Sequence, residues 1–137
     1  MRRFVACVTI APVLALALGC EDPRVLKLDG RVQGSRAHVE EAYALAAKHP
    51  DLLDRIPCFC GCEAHGHKAV TSCFVRNRDK SGAVAAWDYH GADCALCVDV
   101  VRAAVEMQTK GRSLTEIRAV LETRYKHTGK ITPTPAL

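Results

Sequence analysis

Large side chains are scarce in this chain: only 5 % of its 137 residues are aromatic, three Phe, three Tyr and one Trp. A core of Ala, Val, Leu and Ile with few rings is thin, and a domain of about 100 residues built that way leans on cross-links or a metal. An excess of one charge is also missing. With Arg2 and Arg3 set aside, 17 of the 19 basic side chains remain against 15 acidic ones, a net of +2 with His neutral. That balance argues against nucleic acid as a partner and against strong electrostatic steering to a membrane. There is no Gly-x-Ser-x-Gly, no phosphate-binding glycine loop and no His-Glu-x-x-His. Glu40, Glu41, Glu116 and Glu122 read as solvated helix faces, not as a carboxylate pair. Nothing points to a conventional hydrolase, and there are no internal repeats or low-complexity tracts.

Only one long apolar run is present. It extends uncharged from Phe4 to Gly19 behind Arg2 and Arg3, the layout of a secretory signal and too short to need reading as a stable transmembrane helix. Its end, Leu16-Ala17-Leu18-Gly19-Cys20, resembles the lipobox of bacterial lipoproteins, although Ala17 and Leu18 depart from that box. The expectation is a lipid-anchored Cys20 on an extracytoplasmic, membrane-anchored protein, periplasmic or on the outer face of the membrane. An ordinary cleaved signal and an uncleaved anchor are the alternatives. Cys7 leaves with the signal.

The chain divides into a signal segment 1–20, a tether 21–34, a Cys-rich helical domain 35–129 and a frayed, proline-marked tail 130–137. The expected fold class is mainly α, a small helical domain with an irregular Cys-rich loop. Ser35 stands as N-cap of a helix whose apolar stripe is Val39, Ala42, Tyr43 and Ala46, and Pro50 stops it. Asp51 can cap a short helix from Leu52 to Arg55, closed by Pro57. Residues 57–68 read as an ordered loop. Residues 69–90 show no firm period: Val70 to Val75 reads as a short helix or an extended run, Asn77 to Gly82 as a charged turn, and Gly82 to His90 as an extended return carrying Trp87 into the core. Cys94, Cys97, Val98, Val101, Ala104 and Val105 then share one helix face, with Asp93 as cap and Gly111 as stop. Ser113-Leu114-Thr115-Glu116 is a capping box opening a last helix with Leu114, Ile117, Leu121 and Tyr125 inward.

Cysteine is what the chain has in plenty. Of eight, six fall in residues 58–97: Cys58, Cys60, Cys62, Cys73, Cys94 and Cys97. Such a set serves metal binding, redox exchange or covalent stapling. Thiolates suit Zn(II) and, being soft, Cu(I). Cys94 and Cys97 lie one turn apart at a helix start, where the dipole favours thiolate and bidentate geometry is available. Six thiolates exceed one tetrahedral site, which fits a small polynuclear Cu(I) cluster or a four-sulfur site plus a labile pair. The exposed loop sulfurs would exchange metal while the helical pair holds it. Two other readings stay open. Disulfide stapling suits an oxidising compartment and an even count, but alternate-residue spacing is a poor scaffold pattern. A thiol–disulfide oxidoreductase would use Cys94 and Cys97, but no βαβ pattern precedes them.

Among the histidines, His90 is the better candidate ligand, approaching from the side of the helical thiols. His65 and His67 flank Gly66 beside the loop, with ligand or outer roles balanced against plain exposure. His38, His49 and His127 carry no expected function. Pro57-Cys58-Phe59-Cys60-Gly61-Cys62 resembles the signature of the bacterial proteins named for a Pro-Cys-Tyr-Cys-Gly-Cys motif, with Phe59 in place of the tyrosine. The resemblance continues through Gly66-His67-Lys68, Cys73-Phe74-Val75, His90-Gly91, Cys94, Cys97 and Ser113 to Arg118, covering about residues 35–127. It implies a lipoprotein with a six-cysteine site in which His67 and His90 sit within motif anchors. The expected ligand is a metal ion, Cu(I) or Zn(II). The expected partners are the membrane, through the lipid anchor, and a metal-accepting protein.

Overall fold

The structure is a computed structural model, and it describes residues 22–28, 30 and 32–134. The signal segment 1–20 and the lipobox-like Cys20 lie outside the described residues. Four helices and one hairpin follow: α1 Arg36–Lys48, α2 Pro50–Leu53, β1 Val75–Arg78, β2 Val84–Trp87, α3 Ala95–Thr109 and α4 Leu114–Tyr125. Single 3₁₀ turns occupy Cys62–His65, Val70–Cys73 and His90–Asp93. The mainly α expectation holds, with a two-stranded antiparallel sheet added. Among the described residues no helix is long and apolar enough to cross a membrane.

Helix α3 is the spine, with α1, α2 and α4 packed around it. Its buried residues Cys97, Val98, Val100, Val101, Ala104 and Val105 include the predicted stripe except Cys94. It stops in a Schellman motif: the Gly111 amide donates to the Gln108 carbonyl at 2.9 Å and the Arg112 amide to that of Met107 at 3.1 Å. On α1 the buried residues are Val39, Ala42, Tyr43 and Ala46, the four predicted from their 3.6-residue period. Ile117 and Leu121 anchor α4, whose capping box is complete: the Glu116 amide donates to Ser113 Oγ, and the Ser113 amide donates to the Glu116 carboxylate. Each buried Val, Leu, Ile or Phe of this core contributes roughly 1.5–3 kcal/mol.

Three expectations are corrected by the backbone. Pro50 opens α2 at its first position instead of only ending α1, because a missing amide costs nothing there, so the helix is Pro50–Leu53 and not Leu52 to Arg55. Asp93 is drawn into the turn His90–Asp93, which leaves Cys94 as the N-cap of α3. The orphan amide of Ala95 is then satisfied by the side-chain carbonyl Oε1 of Gln33, from the preceding segment, at 2.9 Å. The charged stretch 77–82 predicts a turn, yet Asn77 and Arg78 continue β1, paired to Ala86 and Val84. The reversal itself is built by Asp79, whose carboxylate accepts from the Ser81 and Ala83 amides.

The two ends of the domain are fastened down. Trp87 Nε1 donates to the Arg24 carbonyl at 2.8 Å, and the Arg36 guanidinium donates to the carbonyls of Leu28 and Gly30, so the described part of the tether lies on the domain. The prolines of 130–137 predict fraying; instead residues 128–134 run back along the cysteine loop. Thr132 is 3 % exposed, its amide donates to the Cys58 carbonyl at 3.0 Å, and its Oγ1 accepts from the Cys58 amide at 2.9 Å. Thr128 Oγ1 donates to the Phe59 carbonyl, Thr134 Oγ1 to that of Lys68, and Lys130 pairs with Glu63.

Candidate metal centre

Three chain segments deliver the sulfurs to one place. After Pro57 the loop leaves α2 extended, and Gly61, at φ +80°, turns it so that Cys58, Cys60 and Cys62 face the same region. Phe59 points elsewhere, fully buried with its ring 5.7 Å from that of Tyr125, so the position has a packing task. The turn Val70–Cys73 is pinned by a bond from the Val70 amide to the Ile56 carbonyl at 2.9 Å and presents Cys73. The start of α3 supplies Cys94 and Cys97.

All six thiols are free, and together they form an unbroken net. Cys58 Sγ lies 3.2 Å from Cys60, 3.5 Å from Cys97 and 3.7 Å from Cys73. Cys97 is 3.2 Å from Cys94, 3.6 Å from Cys60 and 3.6 Å from Cys73, and Cys62 is 3.6 Å from Cys73. Two imidazoles join: His90 Nε2 is 3.5 Å from Cys60 Sγ, and His67 Nδ1 is 3.4 Å from Cys73 Sγ. A tetrahedral ion with metal–sulfur bonds near 2.3 Å and metal–nitrogen bonds near 2.05 Å would hold its donors about 3.8 Å (S···S) and about 3.6 Å (S···N) apart. The observed spacings sit close to those edges, and far from the ~2.05 Å of a disulfide.

Four donor groups have all their ligand atoms within 4.8 Å of one another: Cys60, His90, Cys94 and Cys97; Cys62, His67, Cys73 and His90; Cys58, Cys60 and Cys62; and Cys58, Cys73 and Cys97. These Cys/His groups can hold a metal ion. Every candidate residue of the sequence reading, the six cysteines with His67 and His90, therefore comes together in space. His38, His49 and His127 take no part in any group. The expected division of exposure, loop sulfurs outward and helical pair inward, holds for Cys60 and Cys97 only. Cys58 and Cys62 of the loop are buried, whereas Cys94 of the helix is half-buried, as is Cys60. As N-cap, Cys94 has left the helical stripe and stands at its rim.

The crowding sets the charge. Cys60 is held well below the usual thiol range by hydrogen bonds from Cys58 foremost, then Cys62, Cys73 and Cys94. The contact with Cys60 pushes Cys58 up, but those with Cys62, Cys73 and Cys97 bring it down to about 4. Cys62, Cys73 and Cys97 are pushed up, each foremost by its contact with Cys58, and Cys94 by its contact with Cys60. Sulfurs this close cannot all be anionic without a cation, so only part of the set carries charge. The α3 dipole, expected to favour thiolate at Cys94 and Cys97, is overridden by these neighbours. A bound cation would reverse the balance and release protons. Burial lowers His67, keeping its imidazole in the neutral form that a ligand needs.

One contributor was not legible in the sequence. Asp88 Oδ1 accepts from the His90 amide at 2.9 Å, while Oδ2 lies 3.9 Å from His67 Nε2 and 3.4 Å from Arg76. A single carboxylate so faces the far side of one candidate ligand and fixes the backbone of the other, the arrangement that orients metal-binding imidazoles. Asp88→Asn keeps the acceptor for the His90 amide and loses the charge beside His67. It is expected to weaken metal binding by roughly tenfold while the denaturation midpoint of the metal-free chain stays close to wild type. A midpoint that falls with the affinity would mean that Asp88 acts on the fold alone.

The surface cleft of about 490 Å³ lined by Glu41, Asp99, Arg102, Glu106 and Arg124 contains neither thiol nor imidazole and is not part of this centre. Against known proteins, the chain matches, over residues 26–137, the family described as a protein of unknown function with PCYCGC motif. The chain belongs to the PCYCGC-motif family. No curated protein and no solved structure matches it. The PCYCGC match begins in the segment bonded to Trp87 and Tyr89 and takes in the strap 128–134. It therefore spans every element that builds the candidate centre, and the motif itself falls on Pro57 to Cys62, with Phe59 where it has tyrosine.

Proposed function

We propose that this chain is an extracytoplasmic lipoprotein, anchored through Cys20, that binds and buffers or delivers a soft metal ion, Cu(I) ahead of Zn(II). The observation that carries this reading is the net of six free sulfurs at 3.2–3.7 Å, closed by two imidazole nitrogens at 3.4 and 3.5 Å. Reduced thiols at such spacing in an oxidising compartment call for an occupant that protects them. Softness selects Cu(I) for a donor set richer in sulfur than one tetrahedral ion uses. Cys58, touching three other sulfurs and shared by two donor groups, has the position of a bridging thiolate.

Zn(II) is the second reading, favoured by the mixed group Cys60, His90, Cys94 and Cys97, three sulfurs and one nitrogen. A thiol–disulfide oxidoreductase is less well supported, since Cys97 touches Cys58, Cys60 and Cys73 as closely as an exchange pair would need to stay clear of them. Exchange with a metal-accepting protein would run through the half-buried Cys60 and Cys94, with Cys58, Cys62, Cys73 and Cys97 behind them. The test is an anaerobic competition: the zinc-loaded chain is titrated with Cu(I). Displacement of zinc with more than one copper bound per chain is expected. Zinc retained against Cu(I) would establish the zinc reading instead.

A further inference from the structure

Three imidazoles meet beside the sulfurs, and one of them belongs to none of the four donor groups. The ring of His65 lies 5.4 Å from that of His90 and 6.2 Å from that of His67, and His67 and His90 are 5.2 Å apart. Exposure falls across the three: His65 is exposed, His90 half-buried and His67 buried. The inner two each reach a sulfur, His90 at Cys60 and His67 at Cys73. His65 ends the turn that starts at Cys62, and the left-handed Gly66 after it returns the chain so that both flanking histidines face His90. The imidazoles thus form a short path from solvent to the thiols, and its outermost member is accessible.

Resting on the metal reading above, we propose that His65 is the receiving ligand of the centre, the first protein group to bond an arriving Cu(I) or Zn(II) ion. A thiophilic ion reaches the protein with water or a carrier's donor atoms around it, and these leave one at a time. In the first step an imidazole nitrogen of His65 bonds the ion as one outer ligand departs. In the second, Cys60 Sγ or the His90 ring bonds it and the His65 bond breaks. The metal's oxidation state does not change, and a thiol that binds gives its proton to water. A neutral imidazole suits the first contact: it accepts Cu and Zn alike, and it holds Cu(I) less firmly than thiolate, so the ion moves inward. His65 then governs the rate of loading and not the final occupancy.

The experiment mixes Cu(I), delivered in acetonitrile without oxygen, with the metal-free chain as processed in the cell and kept in mild detergent. Thiolate-to-copper absorbance is followed by stopped flow, and bound copper is counted at the end. His65→Ala is expected to load about tenfold more slowly and to reach the same copper content as wild type. His65→Met, which retains a soft donor, is expected to recover most of the rate. Loading of His65→Ala at the wild-type rate would overturn the proposal. A lower final copper content in that variant would also overturn it, by making His65 a resident ligand. A wild-type chain that takes up no copper, and no zinc in a parallel sample, would sink the metal reading itself.

Discussion

Cys58→Ser is expected to abolish polynuclear binding, lowering overall metal affinity by at least about a hundredfold, whereas Cys94→Ser leaves part of the bound metal in place. The difference lies in position. Cys58 is fully buried at the middle of the net, touches Cys60, Cys73 and Cys97, and belongs to two donor groups. Cys94 stands at the rim with a single sulfur contact under 3.5 Å, to Cys97, and belongs to one group. Losing it breaks that one group and leaves whole both three-sulfur groups that depend on Cys58. Serine replaces sulfur with a smaller hard donor at little cost in shape, and the Cys58 backbone remains tied to Thr132 on both its amide and its carbonyl. Metal content per chain, measured alongside circular dichroism, checks the prediction. Equal losses from the two variants would show that Cys58 has no bridging part.

Gly91→Ala is expected to destabilise the metal-free chain by ~1–3 kcal/mol and to weaken metal binding as well. A methyl group on Gly91 would come within 2.4 Å of the Phe74 ring, a contact no folded side chain tolerates. Phe74 cannot swing aside, because it is fully buried and packed edge-on against Tyr43 with centroids 4.9 Å apart. The backbone of the turn His90–Asp93 must move instead, carrying His90 away from Cys60. Urea denaturation measures the first effect and metal competition the second. Wild-type stability in this variant would contradict the packing derived for the turn.

The helices were legible where one face repeats every 3.6 residues. Val39, Ala42, Tyr43 and Ala46 announce α1, and the Ser113–Glu116 box announces the start of α4, because these signals are local. The hairpin was not legible. Its strands have four residues each, and neither the burial pattern of β1 nor the uniformly half-buried β2 alternates with period two. The strap 128–134 was missed for a different reason. It is held by backbone and threonine bonds to Cys58, Phe59 and Lys68, which leave no hydrophobic pattern to read.

The candidate site was visible as a concentration of cysteine, since six thiols in forty residues have few other uses. What spacing could not convey is which sulfur faces outward. Helical periodicity places Cys94 inward, but that argument fails for a residue that caps the helix instead of lying within it. Asp88 was hidden because it faces His67 across the fold, from a position distant in sequence.

The central claim is that the six cysteines are metal ligands and not structural cross-links. The direct measurement takes the chain from its own compartment under anaerobic conditions and determines metals and reactive thiols on one sample. The account predicts stoichiometric bound copper or zinc, few thiols reactive in the folded chain, and six more freed by denaturation with a chelator and no reductant. A metal-free chain whose six thiols stay undetected after denaturation, until a reductant is added, would contradict it and make the cluster a set of disulfides.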